Sequence, residues 1–193
     1  TVVNTSDADM VAAYGTSDVT SVVTWNPLVS EIIAMPGAHK VFDSAQIPGE
    51  IIDLMVVNTE TLKDNPALGK ALVGAWYEVM ELMTSDTPEG KAAKEEMAKA
   101  SGTDLAGFDA QLASTAMFFD PAKAVEFTNG SELPKTMDLV RNFLFSHGIL
   151  GTNATSVDVV GMSFADGSTL GDANNVKLRF DPAFMAEVAT ATP

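Results

Sequence analysis

Residues 2–32, VVNTSDADMVAAYGTSDVTSVVTWNPLVSEI, decide how this chain is read. Val2 and Val3 open a short strand over 1–5. Ser6 or Asp7 then offers a helix cap, and Met10, Val11 and Tyr14 follow helical spacing up to Gly15. The run 19–25, VTSVVTW, is β-branched and apolar, which is the pattern of a buried strand. Pro27 stands where a second helix can begin, with Leu28, Ile32 and Met35 on one face before Pro36 ends it. A third short strand over 39–42 completes β-α-β-α-β. That order predicts an α/β chain with an open, largely parallel sheet.

Beyond Pro48-Gly49, a turn pair, the pattern changes. IIDLMVV at 51–57 reads as one more strand, with Asp53 in its middle. Pro66 opens the longest helix, whose Leu68, Leu72, Ala75, Trp76, Val79, Met80 and Met83 form a broad apolar stripe. From Pro88 the composition turns to Lys, Glu and Ala, and KAAKEEMAKA (91–100) reads as a solvated helix ended by Gly102. Further helices are expected near 104–113, after Pro121, and along Leu133, Met137, Val140 and Leu144 up to Gly148. The remainder is rich in glycine, with a strand VKLRF at 176–180 and a last short helix over 181–188. The expected division is therefore 1–48, βαβαβ-like, and 49–193, mainly helical.

Composition excludes several function classes. The 193 residues carry 11 basic and 26 acidic side chains, a net charge of −15. Binding nucleic acid requires clustered Lys and Arg, so that partner is not expected. An anionic membrane surface is disfavoured for the same reason, and no apolar run approaches the ~18–20 residues of a membrane helix. With no cysteine there are no disulfides, thiolate metal sites or Cys nucleophiles. Nucleotide-binding glycine loops, zinc-protease spacing and the serine-hydrolase elbow are all missing. The acidic loop at 166–171 places Leu170 where a calcium loop needs an oxygen ligand. His39 and His147 are far apart and read as surface or helix-end residues. Neither a cofactor, a metal nor an enzymatic activity is expected.

Two features carry candidate chemistry. Trp25-Asn26-Pro27 stands at the carboxyl end of a strand, where open α/β sheets bind ligands. Trp supplies a flat apolar wall, and Asn supplies both a donor and an acceptor. The competing reading is a core Trp followed by a helix-capping Asn. Asp53, set in an apolar strand, must either face solvent or meet a cationic or NH-rich partner. Asp7 and Asp9, after the first strand, are candidates too, with helix capping as the alternative.

Taken with DLMVVNTETLKDNPALGKALVGAWYEVM (53–80), TMDLVRNFLFSHGILG (136–151) and DGSTLGDANNVKLRFD (166–181), the opening run resembles the periplasmic solute-binding proteins of nitrate, sulfonate, taurine and thiamine-precursor importers. The likeness is closest to their urea-carboxylase-associated, guanidine-type subgroup. It implies a two-lobed, type II binding protein of which this chain is the C-terminal portion. Residues 1–48 would be the remainder of lobe two, and 49–193 the return crossover and the helices of lobe one. Trp25 matches the Trp lining the interlobe cleft. Asn26 stands where many relatives have an acid, a departure from the amine-binding pattern. Asp53, Asp7 and Asp9 fall near the cleft. The implied role is periplasmic capture of a small NH-rich solute such as urea or guanidine, for delivery to the permease subunits of an ATP-driven importer. The same fold also carries a thiamine-pyrimidine synthase, which leaves an enzyme as the alternative, and a non-catalytic interaction module is a third. A lobe separated from its partner would expose sheet edges, so self-association of this piece is expected.

Overall fold

The computed structural model describes residues 2–191. In chain order the helices are α1 (Asp7–Tyr14), α2 (Leu28–Ile33), α3 (Thr59–Asp64), α4 (Pro66–Thr84), α5 (Pro88–Ala100), α6 (Leu105–Ala113), α7 (Pro121–Asn129), α8 (Glu132–Ser146) and α9 (Ala183–Ala191). The strands are β1 (Gly161–Ser163), β2 (Thr169–Leu170) and β3 (Val176–Arg179). The chain is thus a mixed helix-and-sheet protein in which helix predominates. It divides into two compact units, the first made of residues 2–43 with Ser85–Met117 and the second of Ser44–Thr84 with residues 118–191. The sequence pattern placed one boundary at 48/49. The compact units change over at 43/44, 84/85 and 117/118.

The first unit is built from helices whose ends are set locally. Thr87 caps α5, its hydroxyl accepting from the Gly90 N–H at 3.1 Å, with Pro88 in the first turn. Asp104 caps α6 through the Gly107 N–H at 2.8 Å. Lys94 of α5 pairs with Asp109 of α6 at 3.1 Å. α1 and α2 pack on each other, with Ile32 buried.

The second unit holds the sheet and the larger core. The sheet order is β2-β1-β3. β1 and β2 form an antiparallel hairpin around Asp166-Gly167: the Asp166 carboxylate accepts from the Ser168 N–H at 2.8 Å, and Gly167 takes φ +83°. β3 lies parallel to β1, with a bulge between Gly161 and Met162. A Cβ on Gly161 would stand 2.2 Å from the Asp172 carbonyl oxygen, so only glycine admits this approach. The core joins Leu133 and Met137 of α8 to Phe164 and Phe180, whose rings stack with centroids 5.3 Å apart. α4 packs on α9, where Gly69 makes room for the Phe184 ring and Lys70 meets Glu187 at 3.2 Å.

The expected strands at 1–5, 19–25, 39–42 and 51–57 do not form ladders among the described residues; Thr1 lies outside them. These segments leave large side chains in solvent, including Val23 at 95% exposure and Val56 at 73%. The physical reason is that β-branched composition favours a pleated chain but does not provide a neighbour, and a strand is stable only when its N–H and C=O groups meet another strand. The sheet that does form lies later in the chain and is only partly parallel. The chain exposes 13127 Å². Two separate globular bodies of this size would expose about 10,600 Å² in total.

Candidate functional site

Each candidate residue belongs to an element whose local chemistry places it. The Trp25 carbonyl accepts from the Val29 N–H at 3.1 Å and so starts α2. Its indole is 61% exposed, which sets aside a core role. Asn26 is half-buried; its Oδ1 accepts from the Ser30 hydroxyl at 2.9 Å, and the Asn26–Pro27 bond is cis. Asn26 therefore braces the first turn of α2 through a side chain, and its amide NH₂ makes no hydrogen bond among the described residues. The neighbouring Thr24 Oγ1 is buried without a hydrogen-bond partner among the described residues.

Asp7 and Asp9 occupy the exposed first turn of α1. Carboxylates there answer the partial positive charge of the helix start. The Ser6 hydroxyl donates to Asp9 at 2.6 Å, so Asp9 has a structural task. Asp53 is exposed, in the unpaired segment 51–57 of the second unit. The structure thus brings Trp25 and Asn26 together at the start of α2, puts Asp7 and Asp9 on the helix packed against α2, and sets Asp53 in the other unit.

Displaced ionisations mark structural contacts of the second unit. Burial, with the nearby Asp120 carboxylate, raises the Tyr77 hydroxyl above its ordinary value. Burial tends to lower Arg141, but the hydrogen bonds it donates to the Asp158 and Asp138 carboxylates prevail and hold it above the ordinary value. The Asp158 contact, at 2.5 Å, ties α8 to the loop before β1, while the Asp138 contact, at 2.6 Å, lies within α8. The Ser168 hydroxyl and N–H hold Asp166 below the usual carboxylate range.

Sequence reading missed one feature. An open groove of about 350 Å³ runs between residues 56–60 and β3, lined by Val56, Val57, Thr59, Val176, Lys177 and Arg179. The Arg179 guanidinium crosses it to donate to the Thr59 hydroxyl at 3.2 Å. The signal in the sequence was the basic-apolar alternation of VKLR in a chain poor in cations.

Among the described residues no cluster of three or more His, Asp or Glu side chains could hold a metal ion, and no helix is long and apolar enough to cross a membrane. No protein-family model, curated protein or solved structure matches the chain.

Proposed function

We propose that the chain captures a small, planar, NH-rich solute as part of the substrate-binding subunit of an ATP-driven importer. In this reading it is the C-terminal portion of a type II two-lobed periplasmic binding protein. The carrying observation is the exposed indole of Trp25, standing beside an Asn26 whose amide NH₂ makes no hydrogen bond among the described residues, at the end of an unpaired apolar segment. An indole face left open to water is a stacking surface, and a guanidinium ligand adds cation–π attraction. The net charge of −15 favours a cationic or neutral solute over an anion. The open faces of 2–5, 19–25 and 51–57 accord with strands that a complementary lobe would cover.

Trp25 and Trp76 are the two tryptophans, so Trp76→Phe leaves Trp25 as the reporter. Titration of that variant with guanidinium, urea, taurine and nitrate at low millimolar concentration should give saturable fluorescence change for the NH-rich pair alone. Asn26→Ala, read by the same indole, should then weaken binding by roughly threefold to tenfold, the equivalent of one neutral hydrogen bond at ~0.5–1.5 kcal/mol. Saturable response to nitrate or taurine, or none to any of the four, defeats the reading.

A further inference from the structure

In a chain with 26 acidic side chains, a cation without a carboxylate is the exception. Lys40, Lys63, Lys70, Lys91, Lys94, Lys123, Lys135 and Arg141 all stand in ion pairs. Among the described residues Lys99, Lys177 and Arg179 do not. Lys99 lies in the last turn of α5, where it answers the carbonyl end of the helix. No such account covers Lys177 and Arg179.

These two are exposed and alternate with the half-buried Val176 and Leu178, so they share the outer face of β3. Residues two apart on a strand are about 6.6 Å apart along it. Both line the groove beside residues 56–60, and its one carboxylate, Glu60, is already engaged with Lys63 at 2.9 Å. β3 is also the edge of the sheet: it pairs with β1 on one side and with no described strand on the other. Its outward N–H and C=O groups are an open template. An edge strand, a groove along it and two uncompensated cations at strand spacing converge on one kind of occupant.

We propose that this edge takes up an extended acidic segment of a protein partner as an added strand. Carboxylates at alternate positions would meet Lys177 and Arg179 as cross-strand neighbours. The intervening apolar side chains would lie on the Val176 and Leu178 side. A small anion would use the cations but leave the backbone edge open, whereas a strand satisfies both. The net charge of −15 repels an acidic partner at long range. At physiological salt that field decays over about 8 Å, so the local pair of cations decides. The groove shares no residue with Trp25 and Asn26, so this proposal stands apart from solute capture.

The test uses the whole chain, ¹⁵N-labelled, and three blocked peptides: Val-Glu-Val-Glu-Val, Val-Lys-Val-Lys-Val, and the glutamate peptide with proline at its centre. The glutamate peptide should shift the amides of 176–179 saturably and slow their hydrogen exchange. The lysine and proline peptides should bind at least tenfold more weakly. Lys177→Glu combined with Arg179→Glu should lose the glutamate peptide and gain the lysine one. Both side chains are exposed, so the double variant should keep the fold, which the unchanged amide spectrum of α8 would report. Absence of shifts at 176–179, equal binding of the lysine peptide, or equal binding of the proline peptide overturns the proposal. So does concentration-dependent protection of 176–179 without peptide, which would give the edge to a second copy.

Discussion

The two units draw on the same material and close to different degrees. Both contain capped amphipathic helices. In the second, four side chains from one helix and the ends of two strands meet as a core: Leu133, Met137, Phe164 and Phe180, none more than 9% exposed. In the first, Ile32 and Ala98 are the buried apolar residues among those described, while Val23, Trp25, Val41 and Phe42 lie open. The difference comes from the strands. β1 and β2 find each other across a turn of a few residues, and β3 joins them soon after. The segments 2–5 and 19–25 are separated by α1 and find no ladder. Helices complete their own hydrogen bonds, whereas strands depend on a neighbour.

The largest effect that would test this contrast is deletion of a core ring. Phe180→Ala should cost the second unit ~3–5 kcal/mol, since it removes a buried ring and its stacking partner's support. Ile32→Ala in the first unit should cost at most about 2 kcal/mol, the low end for an aliphatic truncation, because little else is buried around it. Hydrogen exchange through a urea series reads the units separately. Equal costs would show that the first unit is as well packed as the second.

Two glycines sharpen the description of the second unit. Gly161→Ala should destabilise by ~1–3 kcal/mol, since the new methyl meets the Asp172 carbonyl, which is backbone and cannot step aside. Gly74→Ala, in α4 with nothing within 4 Å of its Cβ position, should stabilise by up to ~1 kcal/mol. Thermal melts of the pair test the sign as well as the size. A neutral Gly161→Ala would mean that the β1 crossing is looser than drawn.

What could be read from sequence follows the same divide. The starts of α4, α5 and α7 were legible because Pro66, Pro88 and Pro121 mark first turns, and Asp104 and Asp120 cap by local bonds. α3 escaped, although Asn58 carries its signal by accepting from the Glu60 and Thr61 N–H groups at 3.0 and 3.1 Å; the apolar run before it drew the reading straight to Pro66. The hairpin of β1 and β2 is hidden in the sequence because the acidic stretch from Asp166 resembles a calcium loop, while its Asp166-Gly167 pair is turn chemistry. The reading of 19–25 and 51–57 as strands rested on composition, which is silent about partners. For the site, the sequence leaves Trp25 as either a core or a ligand-facing residue, and the residue is 61% exposed. The start of α1 gives Asp7 and Asp9 a helix-end task. The carboxylate-free pair on β3 depends on which carboxylates the other cations meet in the fold, and sequence does not carry that.

The smallest expected effect is the most discriminating. Val23 is 95% exposed, in a segment without a ladder among the described residues. Val23→Pro deletes an N–H and fixes φ, and it biases Val22 toward extended geometry. If nothing pairs with 19–25, the lost donor was facing water, and stability should move by less than about 0.5 kcal/mol. If the segment pairs in solution, with a second copy or with any strand that covers it, the same change removes a ladder bond and leaves a buried carbonyl unmet, which should cost more than about 1 kcal/mol. Val23→Thr separates the two further, because it keeps the N–H and the β-branch and alters only surface polarity. A proline penalty that threonine does not share would mean that 19–25 is a strand with a partner. The contrast between the units would then describe only the isolated chain.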